Sequence, residues 1–213
     1  MKKFFFIIFI GLIGTCPLLH AQKTFDAELT QKAQEGNLKA LMELALTSEE
    51  SKAILIEMAE KNEFAQMTLG IVCEFNKDYK QAIVWFTKAG EQGNGEAWYT
   101  IGNFYMDGLG VDKDLKKAFE YWLKGADGGD INAMTMVGNI YSKGYGVVDI
   151  DVYKAFKYYK TAAELGSSTG QFHLGECYQK GIGVGKNLTE AKKWFQRSAE
   201  QGEERAIKSL KEM

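Results

Sequence analysis

Histidine, cysteine, paired carboxylates and glycine turns are the residues of this chain whose chemistry is worth testing first. Nucleophilic or metal chemistry needs its groups clustered, with a base beside the nucleophile or several ligands around one point. Beyond residue 20 the only histidine is His173, and the cysteines there, Cys73 and Cys177, stand far apart. No Ser/His/Asp order, no metal-spaced Cys/His set and no phosphate loop ending in Gly-Lys-Ser or Gly-Lys-Thr occurs. The pairs Gly108/Gly110, Gly144/Gly146 and Gly181/Gly183 imitate a phosphate cradle. They follow helical patterns rather than strands, so they read as turns that end helices. Glu203-Glu204 and Asp149 with Asp151 sit at turns and helix starts, where acids cap and oppose the helix dipole. His173 reads as a helix-face residue, and Asn187-Leu188-Thr189 as an incidental match to a glycosylation acceptor. The expectation is a chain with no catalytic residues, no metal and no cofactor.

The elements that must carry these residues repeat. Ile101 to Val111 returns as Val137 to Val147 and as Leu174 to Val184, and Gly102, Gly138 and Gly175 are 36 and 37 residues apart. A period of that size predicts stacked helix-turn-helix units. In the unit from Ala97, the residues Ala97, Ile101, Gly102, Phe104, Tyr105 and Gly108 fall on one side of a first helix. Gly108-Leu109-Gly110 turns the chain, and Asp112 or Asp114 caps a second helix near Leu115 to Ala126, with Ala118, Tyr121, Trp122, Gly125 and Ala126 inward. Small residues at Gly102 and Ala118 let the backbones approach. The next units repeat the pattern, the third with one additional residue between Gly146 and Ala155. The unit from Ala65 lacks the glycine turn, and Ala40 to Phe64 is shorter still. This predicts an all-α fold, a solenoid with units near 65–96, 97–132, 133–169 and 170–205. Degenerate capping helices at 22–64 and a capping helix at 206–213 would flank it.

Residues 1–21 read as an export signal: Lys2 and Lys3, an apolar run from Phe4 to Ile13, and a cleavage site at Ala21 before Gln22. A lipobox-like Ile13-Gly14-Thr15-Cys16 offers acylation at Cys16 as the rival, although Thr15 and Pro17 fit that motif poorly. Either route places the protein in the periplasm or outside the cell. Cleavage removes two lysines and no acid, which takes the formal charge from −2 to −4. That balance disfavours nucleic acid and anionic lipid as main partners. No segment reads as a membrane span. Cys73 and Cys177 lie in different units of a stack where only neighbours touch, so no bond between them is expected.

The spacing Ala-x-x-x-Leu-Gly-x-x-Tyr-x-x-Gly-x-Gly-Val, then Lys-Ala-x-x-Trp-Tyr/Phe and Ala-Ala-x-x-Gly, resembles the Sel-one-like repeat (SLR), a relative of the tetratricopeptide repeat. The resemblance covers nearly all of Ala40 to Gly202. It implies a right-handed α/α superhelical solenoid that acts as an adaptor, holding a protein or peptide partner against its inner surface. Cysteine-rich exported relatives are described as binding or hydrolysing β-lactams, and they carry a disulfide within each repeat. The chain has at most one cysteine per repeat, so an envelope hydrolase of the β-lactam or peptidoglycan type is the alternative rather than the main expectation.

Within that picture, a helical wheel turns Tyr99, Asn103 and Met106 away from the buried side, toward the groove lined by first helices. The matching positions include Met67 and Ile71, then Asn139, then Phe172 and Glu176. Apolar anchors mixed with amides suit an extended peptide, held by backbone hydrogen bonds with some side chains seated. Changing both Asn103 and Asn139 to alanine is expected to weaken partner capture without altering thermal unfolding.

Overall fold

The computed structural model describes residues 27–47 and 49–213, so the segment read as an export signal, with Cys16, lies outside the described residues. Every regular element among the described residues is a helix. Residues 27–34 form α1, followed by α2 (Leu38–Thr47), α3 (Glu49–Met58), α4 (Glu63–Phe75), α5 (Tyr79–Glu91) and α6 (Gly95–Asp107). After these come α7 (Leu115–Asp127), α8 (Ile131–Lys143), α9 (Val152–Glu164), α10 (Ser168–Lys180), α11 (Leu188–Glu200) and α12 (Glu204–Lys211). The chain divides into two compact units, at Val72/Cys73. The division falls inside the unit predicted at 65–96, the copy that lacks the glycine turn. There Lys77, at φ 62, takes the left-handed conformation that glycine serves elsewhere.

In the N-terminal unit, short helices bury Leu29, Leu41, Leu44, Leu55 and Leu69. Asn37 and Asn62 cap α2 and α4, their side-chain oxygens accepting from Ala40 N (3.1 Å) and Ala65 N (3.0 Å).

The C-terminal unit is an α/α solenoid. Helices α6 to α11 are each thirteen residues long, so successive hairpins can stack over their full length. The pairs α6/α7, α8/α9 and α10/α11 form hairpins, and α7/α8, α9/α10 and α11/α12 join neighbouring repeats. Each second helix is capped by a side chain: Asp78, Asp114, Asp151 and Asn187 accept from backbone N–H groups at 2.9 to 3.2 Å. Of the two candidates in the second repeat, Asp114 is therefore the cap, while Asp112 is exposed.

The core repeats a single contact. A Cβ on Gly102 would lie 2.5 Å from the Trp122 ring, one on Gly138 2.7 Å from Tyr159, and one on Gly175 2.7 Å from Phe195. The glycine thus makes room first for an aromatic ring of the partner helix, and at Gly102 also for its backbone, the Ala118 carbonyl oxygen lying 3.1 Å from such a Cβ. Trp122, Phe104 and Phe195 are fully or almost fully buried. Tyr105 and Tyr121, expected to fill the core, instead stack on each other at 5.3 Å near its edge, both half-buried.

Candidate interaction surface

The first-helix row separates into core and surface once the helices pack. Met67, 8% exposed, is buried in the N-terminal unit, where Ile71 is at the surface with 36% exposed. Phe172, 7% exposed, is likewise interior, packed with Phe195, Ala191 and Ala206. Tyr99 and Met106 are half-buried against the cluster around Trp122 and Phe119. Sequence spacing placed these apolar residues on a groove. Neighbouring helices take Met67 and Phe172 into the core and half-cover Tyr99 and Met106, because a stacked repeat packs its first helices on both flanks.

The polar members remain at the surface and are oriented from beneath. Trp122 Nε1 donates to Asn103 Oδ1 at 3.1 Å, and Tyr159 OH donates to Asn139 Oδ1 at 2.8 Å. An indole N–H can only donate, so Asn103 must present its oxygen inward and its NH2 group outward. Asn139 repeats the arrangement one unit later. Neither NH2 group has a partner among the described residues. The expectation that alanine at both positions leaves unfolding unchanged is therefore corrected: each change would strip the acceptor from a buried donor.

Glu176 has both oxygens engaged, Oε2 3.1 Å from His173 Nδ1 and Oε1 2.5 Å from Lys180 Nζ. The hydrogen bond from His173, with help from Lys180, holds its carboxyl down at about 2. His173 also stacks on Tyr159 at 4.8 Å, and burial pushes the Tyr159 phenol up. Trp122 and Tyr159 were missed in the sequence as partners because they lie on second helices, 19 and 20 residues beyond Asn103 and Asn139. The His173/Glu176 pair at i,i+3 was a signal that could have been read. Cys177 is buried, its thiol pushed up to about 12 by burial, and Cys73 is half-buried; neither forms a disulfide. Among the described residues no His/Cys/Asp/Glu group is arranged to hold a metal ion, and no helix is long and apolar enough to cross a membrane.

Stacked helical hairpins with a repeated glycine-aromatic contact define an all-α repeat protein. The chain belongs to the Sel1 repeat family, whose model matches residues 75–94, 97–130, 131–167 and 168–203. Proteins of this family are generally non-catalytic scaffolds for protein interaction. Among solved structures the chain is similar to a Sel1 repeat protein from Oxalobacter formigenes, at 32% identity and TM-score 0.56 over 60% of this chain and 96% of that one. It is also similar to a protective antigen of uropathogenic Escherichia coli with an SLR fold, at 25% identity and TM-score 0.55, where 87% of this chain matches 50% of the antigen. A third is cysteine rich protein B of Helicobacter pylori, at 29% identity and TM-score 0.50 over 62% and 95% of the two chains. No curated protein matches the chain.

Proposed function

We propose that this chain is an exported, non-catalytic scaffold of the periplasm or cell exterior that binds a protein or extended peptide across the face of its first helices. The carrying observation is the pair of asparagines, Asn103 and Asn139, each fixed by a buried aromatic donor and each offering a free NH2 group. Amides held in this way can donate to the backbone carbonyls of an extended segment without first paying rotamer entropy. Glu176, kept ionised by His173 and Lys180, adds a fixed anion in the next repeat. The hydrolase alternative draws no support from these residues, since the Cys177 thiol is buried and His173 is committed to Glu176.

The double variant Asn103→Asp, Asn139→Asp tests this reading, because aspartate keeps the oxygen that Trp122 and Tyr159 need and removes the outward donors. Crosslinking in the native cell, followed by mass spectrometry, should recover a protein partner with the wild-type chain and lose it with the variant. Recovery of the same partner with the variant would refute the role of this face. Mass measurement of the mature N-terminus tests export, with Gln22 as the expected first residue.

A further inference from the structure

The repeats serve as controls for one another, and one of them lacks a part. In each second helix, three residues after an aromatic, stands a position filled by Lys88, Lys124, Thr161 or Arg197. Three of these are cations resting on the aromatic: Lys88 lies 4.2 Å from the Trp85 ring, Lys124 5.1 Å from Tyr121, and Arg197 4.8 Å from Trp194. In the third repeat the residue is Thr161, and among the described residues no cation lies over the Tyr158 ring.

The adjoining first helix differs at the same place. In the second repeat Trp98 packs closely against Gly90, stacks on Tyr121 at 5.7 Å and is covered by Lys124 at 4.7 Å. One repeat later Met134 replaces the indole and Ala126 replaces the glycine beneath it. With both the ring and the ammonium absent, a cavity of about 360 Å³ opens there, walled by Met134, Tyr141 and Tyr158. Tyr158 is itself held in place by stacking on Tyr141 at 5.9 Å. The rim also changes sign. Where the second repeat has Glu120, the third has Lys157, which lines the cavity and makes no ion pair with a described residue. Lys154, the other cation there, is already paired with Asp151 at 3.6 Å.

We infer that this cavity seats an aromatic side chain of a partner peptide, stacked on Tyr158 as Trp98 stacks on Tyr121, with a neighbouring carboxylate of the peptide bound by Lys157. The volume lies within the range of ordinary ligand pockets, roughly 300–1,000 Å³. An aromatic guest regains the stacking the repeat lost, and the unpaired ammonium selects an anion beside it. The site is separate from the Asn103 and Asn139 face and rests on the scaffold reading only in taking its guest from a protein partner.

The test uses three peptides, acetyl-Gly-Trp-Glu-amide, acetyl-Gly-Trp-Gln-amide and acetyl-Gly-Leu-Glu-amide, titrated into the full chain while the Met134 methyl resonance is followed. The Trp-Glu peptide should shift that resonance and saturate. The Trp-Gln peptide should bind about five-fold more weakly, as loss of one exposed ion pair allows, and the Leu-Glu peptide should not saturate. Lys157→Glu, at an exposed position, should abolish the preference for Trp-Glu over Trp-Gln. Rebuilding the second repeat's filling with Ala126→Gly, Met134→Trp and Thr161→Lys should remove binding altogether, followed by the tyrosine ring resonances in that variant. Should that variant lose helix by circular dichroism, Tyr158→Ser takes its place. Absence of a Met134 shift with the Trp-Glu peptide, equal binding of the leucine peptide, or a folded filled variant that still binds would each overturn the inference. None of those results touches partner capture by Asn103 and Asn139, so the two readings fail separately.

Discussion

At Asn103 one side chain works in two directions, inward as an acceptor for the Trp122 indole and outward as a donor. Replacing it with alanine leaves a fully buried Trp122 with an unsatisfied N–H. Asn103→Ala should therefore cost about 1–3 kcal/mol in urea unfolding, whereas Asn103→Asp should cost much less. Glu176 yields a prediction in pH. Its folded carboxyl sits at about 2 against an ordinary 4.5, held there by the His173 hydrogen bond and then by Lys180. A group lowered on folding adds stability above its unfolded value, and that contribution fades as pH falls from 4.5 toward 2. Glu176→Gln should accordingly flatten the loss of stability in that window, read from unfolding midpoints at successive pH values. An unchanged slope would mean that the His173 contact is not made in solution.

Among the elements, the turns differ more than their shared glycines imply. Gly110 holds φ 70, and a Cβ there would come within 2.5 Å of Tyr79 Cβ, at the start of the preceding repeat's second helix. Gly146 holds φ 74 with nothing within 4 Å of an added Cβ. At both positions the left-handed conformation costs a residue with a Cβ about 1–2 kcal/mol, but only at Gly110 does that Cβ also clash. Gly110→Ala should thus destabilise by at least about 1 kcal/mol more than Gly146→Ala in chemical denaturation. The turn around Gly146 carries the additional residue of the third repeat, with Tyr145 at φ 47 and with Tyr145, Ile150 and Tyr153 exposed. The helices and turns were legible in sequence because period and glycine placement are local signals. The choice of Asp114 over Asp112 as cap was not, since both precede the helix and only the backbone path decides which oxygen meets Lys117 N.

For the whole molecule, the C-terminal unit is closed by α12, whose Ala206 and Leu210 cover Phe172, Phe195 and Ala191. The Arg205 guanidinium adds a lid over the Phe172 ring at 4.5 Å. In a stack of nearest-neighbour interfaces, a lost end exposes only the repeat beside it. Truncation after Gly202 should lower stability by about 3 kcal/mol, comparable to removing one or two buried apolar side chains. Hydrogen exchange should rise in α10 and α11 while α6 and α7 stay protected. Uniform loss of protection would instead show that the unit folds as one cooperative block.

The helical class, the repeat length, the turns and the family were readable from the chain before folding, because each rests on spacing along one helix or on a glycine at a fixed offset. The sequence also singled out Asn103, Asn139 and Glu176 as surface positions. Tertiary structure alone decided that Met67 and Phe172 are interior, that the asparagine oxygens are held by Trp122 and Tyr159, and that Thr161 and Met134 leave a cavity over Tyr158. These depend on which side chains of different helices meet. A helical wheel gives direction around one axis but not the flank against which the next helix packs. In a solenoid that flank separates core from binding surface, and the residues that vary between repeats become readable only when each is compared with its counterpart in space.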